Sequence, residues 1–355
     1  MTLAKLLSSY KCLSVTGICK NAGKTTLLNT LIDGFERENC EPLAITSIGL
    51  DGEKVDVLSG TDKPQIYVKS GMLFATAKEL LPLCTATKEI IAVTDFYTPL
   101  GVVAVCRALS GGKVILAGPS ITSQLAGLKD IFFDKGAQKV LIDGALSRRS
   151  LITAKLSDAC LLVAGAGSSI SYDALIEETL FNIDILTLPL AEENIDKAGL
   201  PLSFIKNPSG ELYKEQKDFS FAPKGCLAST SSAKSGLSRA DNNKKILNKI
   251  KEKEIVEIEG ALTDGALMPL IKAKGKKPLT VIAEDSSKIM LSKEIFYRAK
   301  ASGVFFAVKK SVNLAAVAIN PYSVEGYILD ANKFADDLKA KTNLPLFDTR
   351  GKFYD

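Results

Sequence analysis

An α/β fold built on a parallel sheet is the class this 355-residue sequence predicts, and three observations predict it. Short apolar runs alternate with longer amphipathic ones over the first 200 residues, the pattern of strand–helix–strand units. A glycine-rich turn joins the first apolar run to the first amphipathic one. The composition is that of a globular chain, 46% hydrophobic and 24% charged, with length enough for two domains.

Taken in order, the predicted strands of the first part are residues 13–17, 43–48, 90–94, 113–117, 139–142, 160–164 and 184–188. The predicted helices are 25–36, 73–82, 99–109, 122–134 and 171–181. The character changes after Pro201, where Pro208, Ser209, Gly210, Pro223, Gly225 and the Ser229–Ser232 cluster read as a connection. A lysine-rich helix over 244–254 follows, then strands at 255–258, 279–283, 304–308 and 315–319, with helices near 290–302 and 331–341. The expected organisation is therefore a first domain over 1–205, a linker over 206–243 and a smaller C-terminal α/β domain over 244–355.

Residues 13–26, Leu13-Ser14-Val15-Thr16-Gly17-Ile18-Cys19-Lys20-Asn21-Ala22-Gly23-Lys24-Thr25-Thr26, carry the most chemistry. A strand runs into a loop of small residues and then into the helix of Leu27, Leu28, Leu31 and Ile32. Such a loop lets successive backbone N–H groups wrap an anion, with the helix N-terminus behind them. Gly17, Lys20, Asn21, Ala22, Gly23, Lys24, Thr25 and Thr26 are the expected nucleotide-binding residues. Lys24 would reach the β- and γ-phosphates, and the Thr25 hydroxyl would ligate Mg²⁺. The first domain is thus expected to be a parallel-sheet P-loop NTPase. One departure stands: Gly17 precedes Gly23 by one position more than the usual spacing, with Ile18 where the glycine is expected.

Turnover also needs carboxylates. Lys139-Val140-Leu141-Ile142-Asp143 is an apolar strand ending in an acid, suited to hold a Mg²⁺-bound water; a turn aspartate closing a strand is the plainer alternative. Asp51, in Gly49-Leu50-Asp51-Gly52-Glu53, follows the second strand and could orient the attacking water or the metal, with Glu53 and Asp56 near it in sequence. Asp-Gly is equally a turn pair. Lys24, Asp51 and Asp143 are the expected catalytic residues, and Thr25, Asp143 and Asp51 the expected metal ligands. The strand exits 117–120 and 164–169, with Gly118, Gly165 and Gly167, permit close backbone approach to a ligand. Arg148 and Arg149 follow Asp143 and could meet a phosphate or a partner. No Asn-Lys-x-Asp signature occurs, which favours ATP over GTP.

The longer loop spacing, with Asp143-Gly144-Ala145, resembles dethiobiotin synthetase and the wider class of the nitrogenase iron protein. Residues 16–26, Thr46–Glu53, Leu116–Ser120 and Leu141–Leu146 together resemble the P-loop subunit of the lysine 5,6-aminomutase reactivating system. That resemblance implies an ATP-dependent regulatory or chaperone-type ATPase using ATP and Mg²⁺. Its protein partners would be an adenosylcobalamin-dependent aminomutase and a companion reactivase subunit. The dethiobiotin synthetase likeness implies instead an ATP-dependent small-molecule ligase or kinase, for which Lys20 would be a further cation. A nucleotide-binding adaptor without hydrolysis is the third reading. The class pairs nucleotide sites across dimers, so a homodimer is compatible.

Other features exclude chemistry. Histidine is absent, which removes imidazole bases and His-ligated metals. The seven cysteines form no C-x-x-C pair, so zinc sites and dithiol redox chemistry are not expected; Cys19, inside the loop, could make the site thiol-sensitive. A net charge of +5 with interspersed signs does not indicate nucleic acid. No signal peptide or spanning segment is read, and a cytoplasmic location is expected. The lysines at 272, 274, 276 and 277 read as a solvated loop. Asp-Gly-Ala-Leu occurs at both 143–146 and 264–267, too short a recurrence to argue duplication.

Overall fold

The computed structural model describes residues 2–40, 42–49, 65–144, 156–165, 171–191, 255–311, 313–323 and 326–354. The fold is mixed α/β with a large, mostly parallel central sheet. The chain divides into two units: residues 1–183 with 312–355, and residues 184–311.

The first unit opens with strands β1 (Cys12–Gly17), β2 (Leu43–Ser47), β3 (Ile66–Val68), β4 (Leu73–Ala77), β5 (Lys88–Thr98), β6 (Gly101–Ala108), β7 (Gly112–Val114), β8 (Lys139–Asp143) and β9 (Ala159–Gly165). The second unit contributes β10 (Ile255–Ile258), β11 (Leu262–Thr263), β12 (Leu279–Asp285), β13 (Ile289–Met290) and β14 (Val304–Lys310). The chain then returns to the first unit through β15 (Leu314–Asn320), β16 (Leu346–Asp348) and β17 (Phe353–Tyr354).

The large sheet runs β17-β16-β15-β9-β1-β8-β2-β4-β6-β5. Pairing is parallel from β16 to β4 and antiparallel at both ends. The Lys24–Arg37 helix lays Leu27, Leu28, Leu31, Ile32 and Phe35 on one face, each buried and each contributing roughly 2 kcal/mol of apolar transfer. It stops at Asn39, whose φ of 55° lets Cys40 N–H reach Phe35 O at 2.9 Å. The Thr122–Asp134 helix covers the other face with Leu125, Leu128 and Phe132 and ends likewise at Gly136, φ 94°. The central strands are buried throughout, β1, β8 and β9 showing no exposed residue.

Four predicted elements are corrected. Residues 73–82 are not a helix but β4 followed by a 3-10 turn over Lys78–Leu83; residues 99–109 are β6. Val102, Val103 and Val105 favour the pleated sheet, and antiparallel pairing to β4 places Val103 and Val105 in the core. Residues 184–186, expected to open a strand, are the last turn of the Tyr172–Leu186 helix. The predicted strand 113–117 is a shorter piece, β7, paired with β3 outside the large sheet.

The domain division also differs. The expected C-terminal domain over 244–355 is not one unit, because β15 pairs with β9 and β16 with β15, carrying residues from 312 onward into the first unit. The second unit is an insertion between two neighbouring strands of one sheet. By itself it is a parallel sheet, β10-β12-β14, with helices Asp264–Lys274 and Lys293–Ala301 and a small β11–β13 pair. Lys274 is not in a solvated loop: it is buried in the last helical turn, donating to Lys277 O at 3.0 Å and to Ser302 O. The expected linker 206–243 and helix 244–254 lie outside the described residues. Among those residues no helix is long and apolar enough to cross a membrane.

Candidate functional site

The carboxyl ends of β1, β8, β9, β2 and β15 meet at one edge of the large sheet, where ligands bind in open α/β folds. The glycine-rich loop leaves this edge from β1. Gly17 is required by packing: a Cβ there would lie 2.9 Å from Ala22 Cβ and 3.1 Å from Lys24 Cγ. The additional residue of the loop extends the strand. Ile18 is buried, and its N–H donates to Val163 O at 3.0 Å, so the β1–β9 ladder runs one residue past Gly17.

Lys20 and Asn21 stand exposed at the loop tip. Asn21 has φ 60°, a left-handed conformation that asparagine adopts more readily than other side-chain-bearing residues. Ala22 is fully buried, and Gly23, with φ 105°, is the N-cap of the Lys24–Arg37 helix. No side chain caps this helix and no acidic residue occupies its first turn. The backbone N–H groups of that turn therefore find no partner in a capping side chain, the arrangement that receives an anion. Cys19 is half-buried, its thiol 3.7 Å from Gly165 O.

Asp143 ends β8 between the two strands that matter most. It is in register with Val15 of β1 and Ser47 of β2, and only 6% exposed. Its main chain is tied on both sides: Ile48 N–H donates to Asp143 O and Gly144 N–H to Val15 O, each at 2.8 Å. Thus Lys24, Thr25, Thr26 and Asp143 share one edge. No cluster of three or more metal-binding side chains occurs among the described residues. The donor set at this edge, one buried carboxylate and a threonine hydroxyl, suits Mg²⁺, which takes few protein ligands and completes its shell with phosphate and water.

The two glycine exits prove unlike. Gly118 faces β2, not a ligand: a Cβ there would sit 2.0 Å from Ser47 O, and its N–H donates to Ser47 Oγ. Gly165 faces the loop, its Cβ position 2.3 Å from Ala22 O. Asp51, Glu53, Asp56, Arg148, Arg149 and residues 166–169 lie outside the described residues.

Asn320 was missed. It ends β15, is 8% exposed, and its side chain lies against Gly23. The available signal is an Asn-Pro pair closing an apolar run, but the sequence reading places that run, 315–319, in a separate C-terminal domain.

Compared with known proteins, the chain matches no family model and no curated protein. Among solved structures it aligns with pyruvate kinase of Cryptosporidium parvum at 8% identity, over 97% of this chain and 96% of that one. The TM-score is 0.13, and the likeness carries no argument.

Proposed function

We propose that this chain is a Mg²⁺-dependent ATP-binding and ATP-hydrolysing protein of the regulatory or chaperone kind. The observation that carries the reading is the start of the Lys24–Arg37 helix, uncapped and without a first-turn acid, set beside buried Asp143 at the carboxyl edge of a parallel sheet. In this reading the first-turn N–H groups and Lys24 hold the phosphates. Thr25 and Asp143 would hold Mg²⁺, which would supply neutralisation of charge developing on the transferred group. Burial of Asp143 would strengthen its attraction for the bound cation by excluding water. Asp51 is proposed to orient the attacking water.

A protein partner is proposed because a separate α/β unit is inserted into the chain at 184–311. By the resemblance, that partner is a cobalamin-dependent aminomutase. Calorimetric titration with Mg·ATP and Mg·GTP tests the site. Lys24→Ala is expected to abolish detectable binding, and Asp143→Asn to cut Mg²⁺-dependent turnover by about 10-fold or more. Equal binding by wild type and Lys24→Ala would remove the reading. Turnover stimulated by a small acceptor instead of a protein would make the chain a ligase or kinase, and binding without turnover would make it an adaptor.

A further inference from the structure

We propose that Asn320 is the positioning residue of the glycine-rich loop, seating Ala22 and Gly23 so that the helix start faces the anion. The proposal rests on the nucleotide reading above and adds to it a residue from the far side of the 184–311 insertion.

Three contacts define the seat. A Cβ built on Gly23 would lie 2.8 Å from Asn320 Nδ2 and 2.9 Å from its Cβ and Cγ, so Asn320 occupies the space that a side chain at 23 would need. A Cβ on Gly165 would lie 3.0 Å from Asn320 Cβ and 2.3 Å from Ala22 O. The ends of β9 and β15 and the turn of the loop therefore close into one packed corner, with two glycines making room for a single asparagine. Gly23 enters the helix at φ 105°, and Asn320 lies on the side where a side chain at 23 would stand.

The asparagine is itself held. Its Oδ1 accepts from Tyr322 N–H at 3.3 Å and its Nδ2 donates to Tyr322 O at 3.1 Å. With 8% exposure and both amide ends engaged, the side chain has one orientation. The chemistry selects asparagine. A carboxylate here would place negative charge beside the anion it should help to receive. An apolar residue of the same length would leave two main-chain groups of Tyr322 without these partners. A neutral side chain with one donor and one acceptor meets both demands, and holding a binding turn by a locked neighbour is how such turns keep their geometry.

The test is calorimetric titration with inorganic triphosphate and with Mg·ATP, for wild type, Asn320→Asp, Asn320→Ala and Gly165→Ala, beside thermal unfolding of each. At pH 8 we expect both ligands to bind about 10- to 100-fold more weakly to Asn320→Asp and about 10-fold more weakly to the other two. The ratio of Asn320→Asp to wild-type Kd should shrink as pH falls toward the carboxylate range, around 4, because protonation removes the charge. A role confined to packing would lower the unfolding midpoint and leave affinity and its pH profile unchanged. Wild type that binds, with all three variants binding equally well, overturns the proposal and leaves the nucleotide reading standing. Wild type that binds neither ligand overturns both. Should Asn320→Asp fail to fold, Asn320→Ala carries the decision, since it removes the amide without adding charge, whereas Gly165→Ala also crowds Ala22 O directly.

Discussion

At the carboxyl edge of β1 the chain enters its helix through Gly23, with Lys24 first and no acid in the opening turn. At the carboxyl edge of the second unit's sheet it enters through Thr263, with Asp264 first. Asp264 Oδ1 also accepts the N–H of Ser292 at 2.9 Å, at the start of the Lys293–Ala301 helix, whose own first turn carries Glu294. Both sheets are parallel and both aim helix starts at a strand edge. In the second unit the chain's own carboxylates stand at those positive ends. The Lys24–Arg37 helix has neither a capping side chain nor an acid in its first turn, although Asp330 caps the Ala331–Lys339 helix of the same unit. On the proposed reading, the difference teaches that a helix start at a sheet edge serves an anion only where the chain's own carboxylates leave it open, and that topology alone does not decide this.

The comparison can be broken by moving the acid. Thr26→Asp puts a carboxylate in the first turn of the Lys24–Arg37 helix and should weaken triphosphate binding on the order of 100-fold or more. The same change should raise stability by about 0.5 kcal/mol through the helix dipole. Calorimetry and urea unfolding check the two halves together, and unchanged binding would show that the helix start is not the anion site.

Alkali should part the two units next. Burial pushes the thiols of Cys12 and Cys160 up to about 12 and that of Cys106 to about 11, from 9.0, and raises Cys84 as well. These raised groups contribute stability that is whole below the unfolded value and lost as pH climbs toward the folded one. The first unit should lose about 1 kcal/mol per fully buried thiol by about pH 10. Lys139, its pKa lowered by burial, opposes this in the same unit but is one group against several. Lys274 is lowered by burial too, so the second unit gains stability as pH rises toward the ordinary lysine value of 10.5. Urea titrations at pH 8 and 10, read by limited proteolysis, should show the first unit weakening and the second holding.

Smaller effects sharpen the contrast. Asp264→Asn should cost the second unit about 1 kcal/mol and leave nucleotide affinity alone, as measured by unfolding and calorimetry side by side. Lys309→Ala removes a surface pair with Glu257 at 2.8 Å and should cost no more than about 0.5 kcal/mol.

Much of the first unit was legible. Strands 13–17, 43–48, 139–142 and 160–164 fall within one or two residues of β1, β2, β8 and β9, and the 122–134 helix has the predicted limits. These are long apolar runs bounded by strong stops, where local and tertiary preferences agree. The placement of Lys24 and Thr25 at a helix start and of Asp143 at a strand tip was legible as well, because both are local patterns. The antiparallel end of the sheet was not: 73–82 is rich in alanine and leucine, 99–109 mixes them with valine, and only the long-range pairing of β4 to β6 decides for strand over 73–77 and 101–108. Asn320 was invisible for a related reason. Its place beside Gly23 depends on β15 lying next to β9, a neighbourhood set across an insertion that local pattern cannot bridge.

That insertion also sets a schedule. The chain is made from its first residue onward, and segments fold as they emerge. A ribosome that has finished residue 311 has produced every residue of the loop, yet not β15, which shields one edge of β9 and brings Asn320 against Gly23. Until Leu314–Asn320 arrives, β9 offers newly made neighbours an open hydrogen-bonding edge, and the turn at Ala22–Gly23 lacks its backstop. If the turn at Ala22–Gly23 holds a phosphate as proposed, that competence is acquired late in translation, after the inserted unit has been synthesised whole.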